Sequence, residues 1–174
     1  HSASGDHDIF SFSAYHFTEG AVLYFILAYE SDENLLIVNQ LLQTLSFSGI
    51  GGKRTLGYGR FSYSKENAPE KLIDLLTKEN AEYLLLTTSF PQHQECEGFG
   101  EDEFFYKLAR RAGVILPKSD AKNRNTQKKR EQYFFESGSV FPHPYHGNLF
   151  RVDQNFAHPV YRYGKALFLG VNYD

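Results

Sequence analysis

At 174 residues, with 41% hydrophobic and 22% charged side chains, the chain can bury the core of one domain, or of one domain carrying an insertion. No apolar run approaches the ~20 residues that a membrane-spanning helix needs, and the single cysteine, Cys96, can form neither an internal disulfide nor a cysteine metal site. The net charge of −3 hides an asymmetry: residues 1–103 carry 6 Lys and Arg against 16 Asp and Glu (net −10), whereas residues 104–174 carry 12 against 5 (net +7), which predicts one anion-facing surface and one that repels anions or meets a basic partner.

Residues 1–14 open with HSASGDHD, lack the apolar stretch of a secretory signal, and are expected to be a flexible N-terminus and expression leftover. The absence of Met suits an internal fragment. Ala21 to Tyr29 (AVLYFILAY) is an unbroken apolar run of the length of a buried central strand. Ser31 and Asp32 then offer an N-cap, and Leu35, Val38, Leu41, Leu42 and Leu45 recur at helical spacing. An amphipathic helix over 33–47, packed on that strand and stopped by Gly49, is the expectation. Residues 60–65 alternate Phe61 and Tyr63 with polar residues, as a half-exposed strand does.

After Pro69, residues 70–78 predict a short helix, and Tyr83 to Phe90 a second buried strand. Residues 91–102 are expected to be a loop, Phe104 to Ala112 a basic-ended helix closed by Gly113, and 117–130 a solvated loop with six bases and one acid. Strand-like segments follow at 132–135, 148–152 and 160–171. The order predicts an α+β, ferredoxin-like (RRM-like) domain over residues 15–174, with additional β-strands. Phe and Tyr supply all of the 16% aromatic content, which predicts a Phe-rich core in preference to rings stacking on bases.

SGIGGKRTLGYGRF, residues 48–61, is the most informative segment. Closely spaced glycines allow positive φ and remove Cβ atoms, so that backbone N–H groups can approach a phosphate chain. Lys53, Arg54 and Arg60 add charge there, and Tyr58 offers a ring. That is chemistry suited to gripping an RNA backbone. Rival glycine motifs fail on order: Phe47 stands where a Walker loop needs glycine, and a dinucleotide fingerprint runs from strand to helix rather than from helix to strand. LGYGRFSY only partly matches an RNP1 signature, since Leu56 replaces its leading base and Arg60 an aromatic. A glycine-rich turn with a solvated basic tip stays open as the plainer reading.

The same segment resembles the glycine-rich loop of the RAMP superfamily of CRISPR proteins, built on ferredoxin-like domains. With YLLLTTSFP (83–91), YKLARRAGVIL (106–116), FFESGSVF (134–141) and HPVYRYGKALFL (158–169), the chain looks closest to the C-terminal half of the fourth-subunit family of the type III-A Csm effector complex. The resemblance implies a non-catalytic, cytoplasmic (prokaryotic) subunit without cofactor or metal. It would hold the crRNA 5′ handle beside the large polymerase-like subunit and the backbone RAMP subunits. Carried over by position, the RNA contacts are Gly49, Gly51, Gly52, Lys53, Arg54, Gly57, Tyr58, Gly59 and Arg60. The family's N-terminal half, a further ferredoxin-like domain, is missing.

Gly138, Arg162 and Lys165 are expected as secondary RNA or subunit contacts, with a turn glycine and an ordinary exposed strand face as the alternatives. His143 and His146 suggest a metal pair only superficially, and His158 is expected at a strand-entry turn. Some RAMP relatives are metal-independent endoribonucleases that process repeat RNA, which is the alternative function. No histidine lies between His16 and His93, so none adjoins the glycine loop in sequence.

Overall fold

The computed structural model describes residues 13–79, 81–97, 99, 104–115, 127–154 and 158–172, and the chain divides into two compact units, His1–Glu66 and Asn67–Asp174. The segment 1–14, all but two residues of it, and most of the basic run 117–130 lie outside the described residues.

In the first unit, helix α1 spans Asp32–Ser48. Ser31 caps it by accepting from the Asn34 N–H at 3.3 Å, Asp32 and Glu33 put negative charge in the first turn, and Gly49 ends it at φ 79°. The caps stand where the sequence placed them. The expected strand at 21–29 is not one: it pairs with no strand among the described residues, and Val22 is 82%, Leu23 77% and Tyr24 88% exposed. A ladder needs a second strand, and none among the described residues of this unit supplies one. Accordingly α1 buries no residue, and its apolar stripe is not packed as expected. Residues 60–65 likewise join no strand ladder among the described residues, although the Phe61 and Tyr63 rings lie 6.3 Å apart.

The second unit is built of antiparallel strands. Helix α2 (Glu70–Thr77) starts at Pro69, whose fixed φ suits a helix entrance, and packs on the last strand. Gly170 allows that packing, since a Cβ there would lie 2.7 Å from the Lys78 Cβ. Strand β1 (Glu82–Leu85) lies between β6 (Val140–Phe141) and β9 (Phe168–Val171). A second ladder joins β2 (Leu108–Arg111) to β5 (Gln132–Phe135), a third joins β3 (Val114–Ile115) to β4 (Gln127–Lys128), and a fourth joins β7 (Leu149–Arg151) to β8 (Tyr161–Tyr163). Backbone bridges from Ser89 to Phe135 and from Phe105 to Val140 tie the first two together.

Four expectations change here. Residues 104–112 do not form a helix: Phe104 and Tyr106 turn to one side and stack at 4.9 Å, Phe105 between them is 75% exposed, and Leu108–Arg111 pair with Gln132–Phe135 as β2. Residues 127–128, placed in a loop, pair with Val114–Ile115 as β4. The loop at 91–102 contains a one-turn helix α3 (His93–Cys96), and the last strand segment breaks into β8 and β9 around Gly164.

The Phe-rich core is real and sits in this unit. Phe141 is fully buried, with the rings of Phe99, Phe104, Phe135, Tyr145 and Phe168 between 5.0 and 5.8 Å from its own. The Tyr145 hydroxyl shares a 2.6 Å hydrogen bond with Ser89 Oγ, and burial pushes its pKa up to about 12 despite that bond. Such a phenol stays neutral and keeps the buried Ser89 satisfied.

Glu95 fastens α3 to the turn before β7. Its carboxylate accepts from the Gln92 N–H at 2.7 Å, the His146 N–H at 2.8 Å and the Gly147 N–H at 3.2 Å. Partial burial works to raise its pKa, but those N–H donors outweigh it and hold the group below the usual carboxylate range. A depressed folded pKa means that this contribution is complete above the unfolded value of about 4.3 and disappears as pH falls through the folded value. Glu95→Gln is therefore expected to lower stability by about 1 kcal/mol at pH 7. Urea titration at pH 7 and at pH 3 checks it, with the difference between the proteins shrinking at the lower pH.

Candidate functional site

The glycine-rich segment forms a hook in the first unit, with a closed base and an open tip. At the base, the buried Gly49 ends α1 and donates its N–H to the Leu45 carbonyl at 2.7 Å. The Ile50 N–H then donates to the Gly59 carbonyl at 2.9 Å, and the Phe61 N–H to the Ser46 carbonyl at 3.3 Å. The two chain segments cross where neither crossing residue can carry a side chain. A Cβ on Gly49 would stand 2.7 Å from the Tyr58 carbonyl oxygen, and one on Gly59 would overlap the Ile50 carbonyl. Both have positive φ, so these two glycines have structural reasons to be glycine. Ile50, between Gly49 and Gly51, is the base residue that the sequence did not single out.

The tip differs. Gly51, Gly52, Lys53, Arg54, Gly57 and Tyr58 are all exposed, as is Arg60 just beyond the base. One 3-10 turn, Arg54–Leu56, shapes the tip through the Leu56 N–H to the Lys53 carbonyl and the Gly57 N–H to the Arg54 carbonyl, both 2.9 Å. Lys53 adopts the left-handed conformation at φ 56°, which no other non-glycine among the described residues does. Such a position costs a residue with a Cβ about 1–2 kcal/mol. The Gly51 and Gly52 N–H groups have no acceptor among the described residues.

Gly51 and Gly57 have positive φ, which explains them. Gly52 has neither a positive φ nor any atom within 4 Å of where its Cβ would be, so the fold of this chain does not require glycine there. The segment 48–61 holds Lys53, Arg54 and Arg60 and no acid.

The secondary residues lie in the other unit, apart from the hook in sequence. Gly138 is an exposed turn residue at φ 90°, whose N–H donates to the Leu85 carbonyl at 2.8 Å. Arg162 is half-buried. Its guanidinium donates to the Arg111, Ala112 and Arg130 carbonyls at 2.8, 3.3 and 3.4 Å and lies 5.9 Å from the Phe134 ring centroid. Burial and the neighbouring Arg111 lower its pKa. Its donors are engaged within the unit, holding β8 against the end of β2. Lys165 is exposed. Gly164 marks a close backbone approach: a Cβ on it would meet the Phe150 ring at 2.8 Å, and one on Gly147 would overlap the Gly164 carbonyl. Tyr161 and Tyr163, not Arg162, face outward on β8, and strand alternation around a single inward residue was the signal that could have shown it. Among the described residues no group of three or more His, Cys, Asp or Glu is arranged to hold a metal ion.

Residues 7–62, which contain α1 and the hook, match the RAMP superfamily model, and this sets the class of protein. The chain belongs to the Csm4 family, because residues 78–171, over half of its length, match the CRISPR Csm4 C-terminal domain. The change from one model to the other falls around the division between the two units. Among curated proteins, the chain is 35% identical over 165 residues to the CRISPR system Cms protein Csm4 of Streptococcus thermophilus. That match covers 94% of this chain and 52% of the relative. It is 33% identical over 171 residues to the protein of the same name from Mycobacterium tuberculosis (strain CDC 1551 / Oshkosh), with 98% and 54% covered. The chain thus spans about half the length of the curated relatives it matches.

Proposed function

We propose that this chain is the RNA-holding portion of a non-catalytic subunit of a type III-A Csm complex, and that the hook at 49–60 clasps the backbone of the crRNA 5′ handle. Gly52 is the observation that carries this reading. A glycine that neither backbone conformation nor packing explains, next to an N–H without an acceptor, fits the close approach of something outside the chain. Lys53, Arg54 and Arg60 give that partner a negative charge. The large polymerase-like subunit and the backbone RAMP subunits are the protein partners in the same proposal, in a prokaryotic cytoplasm.

The ferredoxin-like fold belongs to the proposal too. The unpaired apolar run 21–29 and the uncovered stripe of α1 are what one strand and one helix of such a sandwich look like without their remaining strands. Those strands would come from the portion of the relatives that this chain does not span. Residues 15–174 then belong to the RNA-holding part of the complete subunit.

Gly52→Ala in the full-length subunit tests the hook. Its thermal midpoint is expected to hold or rise slightly, because Ala restricts the unfolded chain. Affinity for handle-containing RNA is expected to fall about tenfold, roughly the loss of one charge-assisted hydrogen bond. Gly59→Ala, in contrast, should lower stability, because it overlaps the Ile50 carbonyl. Wild-type RNA affinity in Gly52→Ala would defeat the assignment of the hook. A discrete cut in repeat RNA incubated with the protein in EDTA would replace the holder with a ribonuclease.

A further inference from the structure

The β7–β8 hairpin presents one face inward and one outward. Phe150 and Arg162, paired in register, turn inward, where Phe150 meets Phe90 at 4.7 Å and Arg162 reaches its carbonyls. Leu149 opposite Tyr163, and Arg151 opposite Tyr161, turn outward. Leu149, Tyr161 and Tyr163 are 50%, 58% and 64% exposed, an aromatic patch that no described residue covers. The Gly164 N–H to the Asn148 carbonyl and the Val152 N–H to the Val160 carbonyl fix the ladder phase. With that phase, the N–H and C=O groups of Tyr161 and Tyr163 point away from β7, along the open edge of β8.

The surroundings are basic. The Arg130 N–H donates to the Val152 carbonyl at 2.7 Å, which lays the segment bearing Lys128 and Arg130 alongside the end of β7. Lys165 follows β8 just past Gly164. In the described parts of 127–130 and 148–165, Lys128, Lys129, Arg130, Arg151 and Lys165 accompany the inward Arg162, and the single acid is Asp153. Its carboxylate is buried and bound by Arg151 at 2.8 Å and by the Val160 N–H at 2.8 Å. An anionic occupant is therefore favoured over an acid-free apolar one.

We infer that the outward face of β8 is a stacking platform for two bases of a single-stranded RNA, with Tyr161 and Tyr163 each receiving one. Residues two apart on a strand are spaced by about 6.6 Å. Stacked bases rise only about 3.4 Å. The two rings therefore accept neighbouring bases only when these are splayed apart, as in single strands held on exposed sheet aromatics. Leu149 widens the apolar floor, the cations meet the phosphates, and Arg162 positions the strand from beneath. The inference extends the RNA-holding reading to a second, base-contacting site in the other unit, but does not require the hook.

Fluorescence anisotropy on the whole chain tests it, with a ten-residue oligouridylate and an abasic ribose-phosphate oligomer of equal length. Tyr161→Ala/Tyr163→Ala is expected to weaken oligouridylate binding at least tenfold and to leave the abasic oligomer unchanged. Tyr161→Phe/Tyr163→Phe should restore binding. An alanine variant with an unchanged thermal midpoint and wild-type affinity for oligouridylate would overturn the platform and leave the patch as a protein-docking face. Equal losses for both oligomers would overturn it as well, since only charge would then have been read. Lys53→Glu/Arg54→Glu separates the two sites, because the hook reads phosphates and should weaken both oligomers alike.

Discussion

Replacing Lys53 and Arg54 together with Glu is expected to lower affinity for handle-containing RNA about a hundredfold, some 1.4 kcal/mol for each cation. Both side chains stand exposed at the hook tip. For single-stranded RNA each phosphate neutralised adds about 0.7 to the slope of log K against log salt, so losing two contacts should flatten that slope by about 1.4. The affinity loss should therefore shrink as salt rises. The hook base should keep its form, because backbone bonds at Gly49, Ile50 and Gly59 hold it. Binding isotherms of the full-length subunit at several salt concentrations measure both quantities. An unchanged slope with reduced affinity would mean that the two residues act on protein structure and not on phosphate.

The largest stability effect should come from Phe141→Ala. Phe141 is fully buried, and five aromatic rings surround it. Deleting its ring removes the transfer energy of the side chain and leaves a cavity lined by those rings. A cost of about 3–5 kcal/mol is expected. Against a total stability of about 5–15 kcal/mol for an ordinary domain, that is a large fraction of the whole. Urea unfolding followed by far-ultraviolet circular dichroism should show the midpoint fall with little change in slope. A loss under 1 kcal/mol would mean that the aromatic cluster is not the centre of the core.

Local chemistry was legible wherever the reason for a conformation lies within a few residues. Ser31, the leucine spacing and Gly49 mark α1 to within a residue at either end, because N-cap, stripe and C-cap act along one helix. Pro69 opens α2 for the same reason. Gln132–Phe135 is a strand as expected, being β-branched-poor but aromatic and bounded by turn residues. Phe104 to Ala112 misled because its two adjacent phenylalanines blur a period of two, and the arginines that follow suit a helix end equally well. Only the ladder with β5 decides it. The two-residue strands β3 and β4 exist through each other and carry no pattern of their own.

For the hook, the sequence by itself determined the position and the inventory: glycines and cations just after a helix, with no acid among them. It could not say which glycines serve the fold. Tertiary structure made that division, placing Gly49 and Gly59 at a crossing too tight for any side chain and leaving Gly52 in open space. It likewise turned Arg162 inward and its tyrosine neighbours outward. The physical reason is common to both cases. A residue's type declares the chemistry it can perform, whereas the space around its Cβ and the face it occupies depend on chain segments that sequence neighbours do not specify.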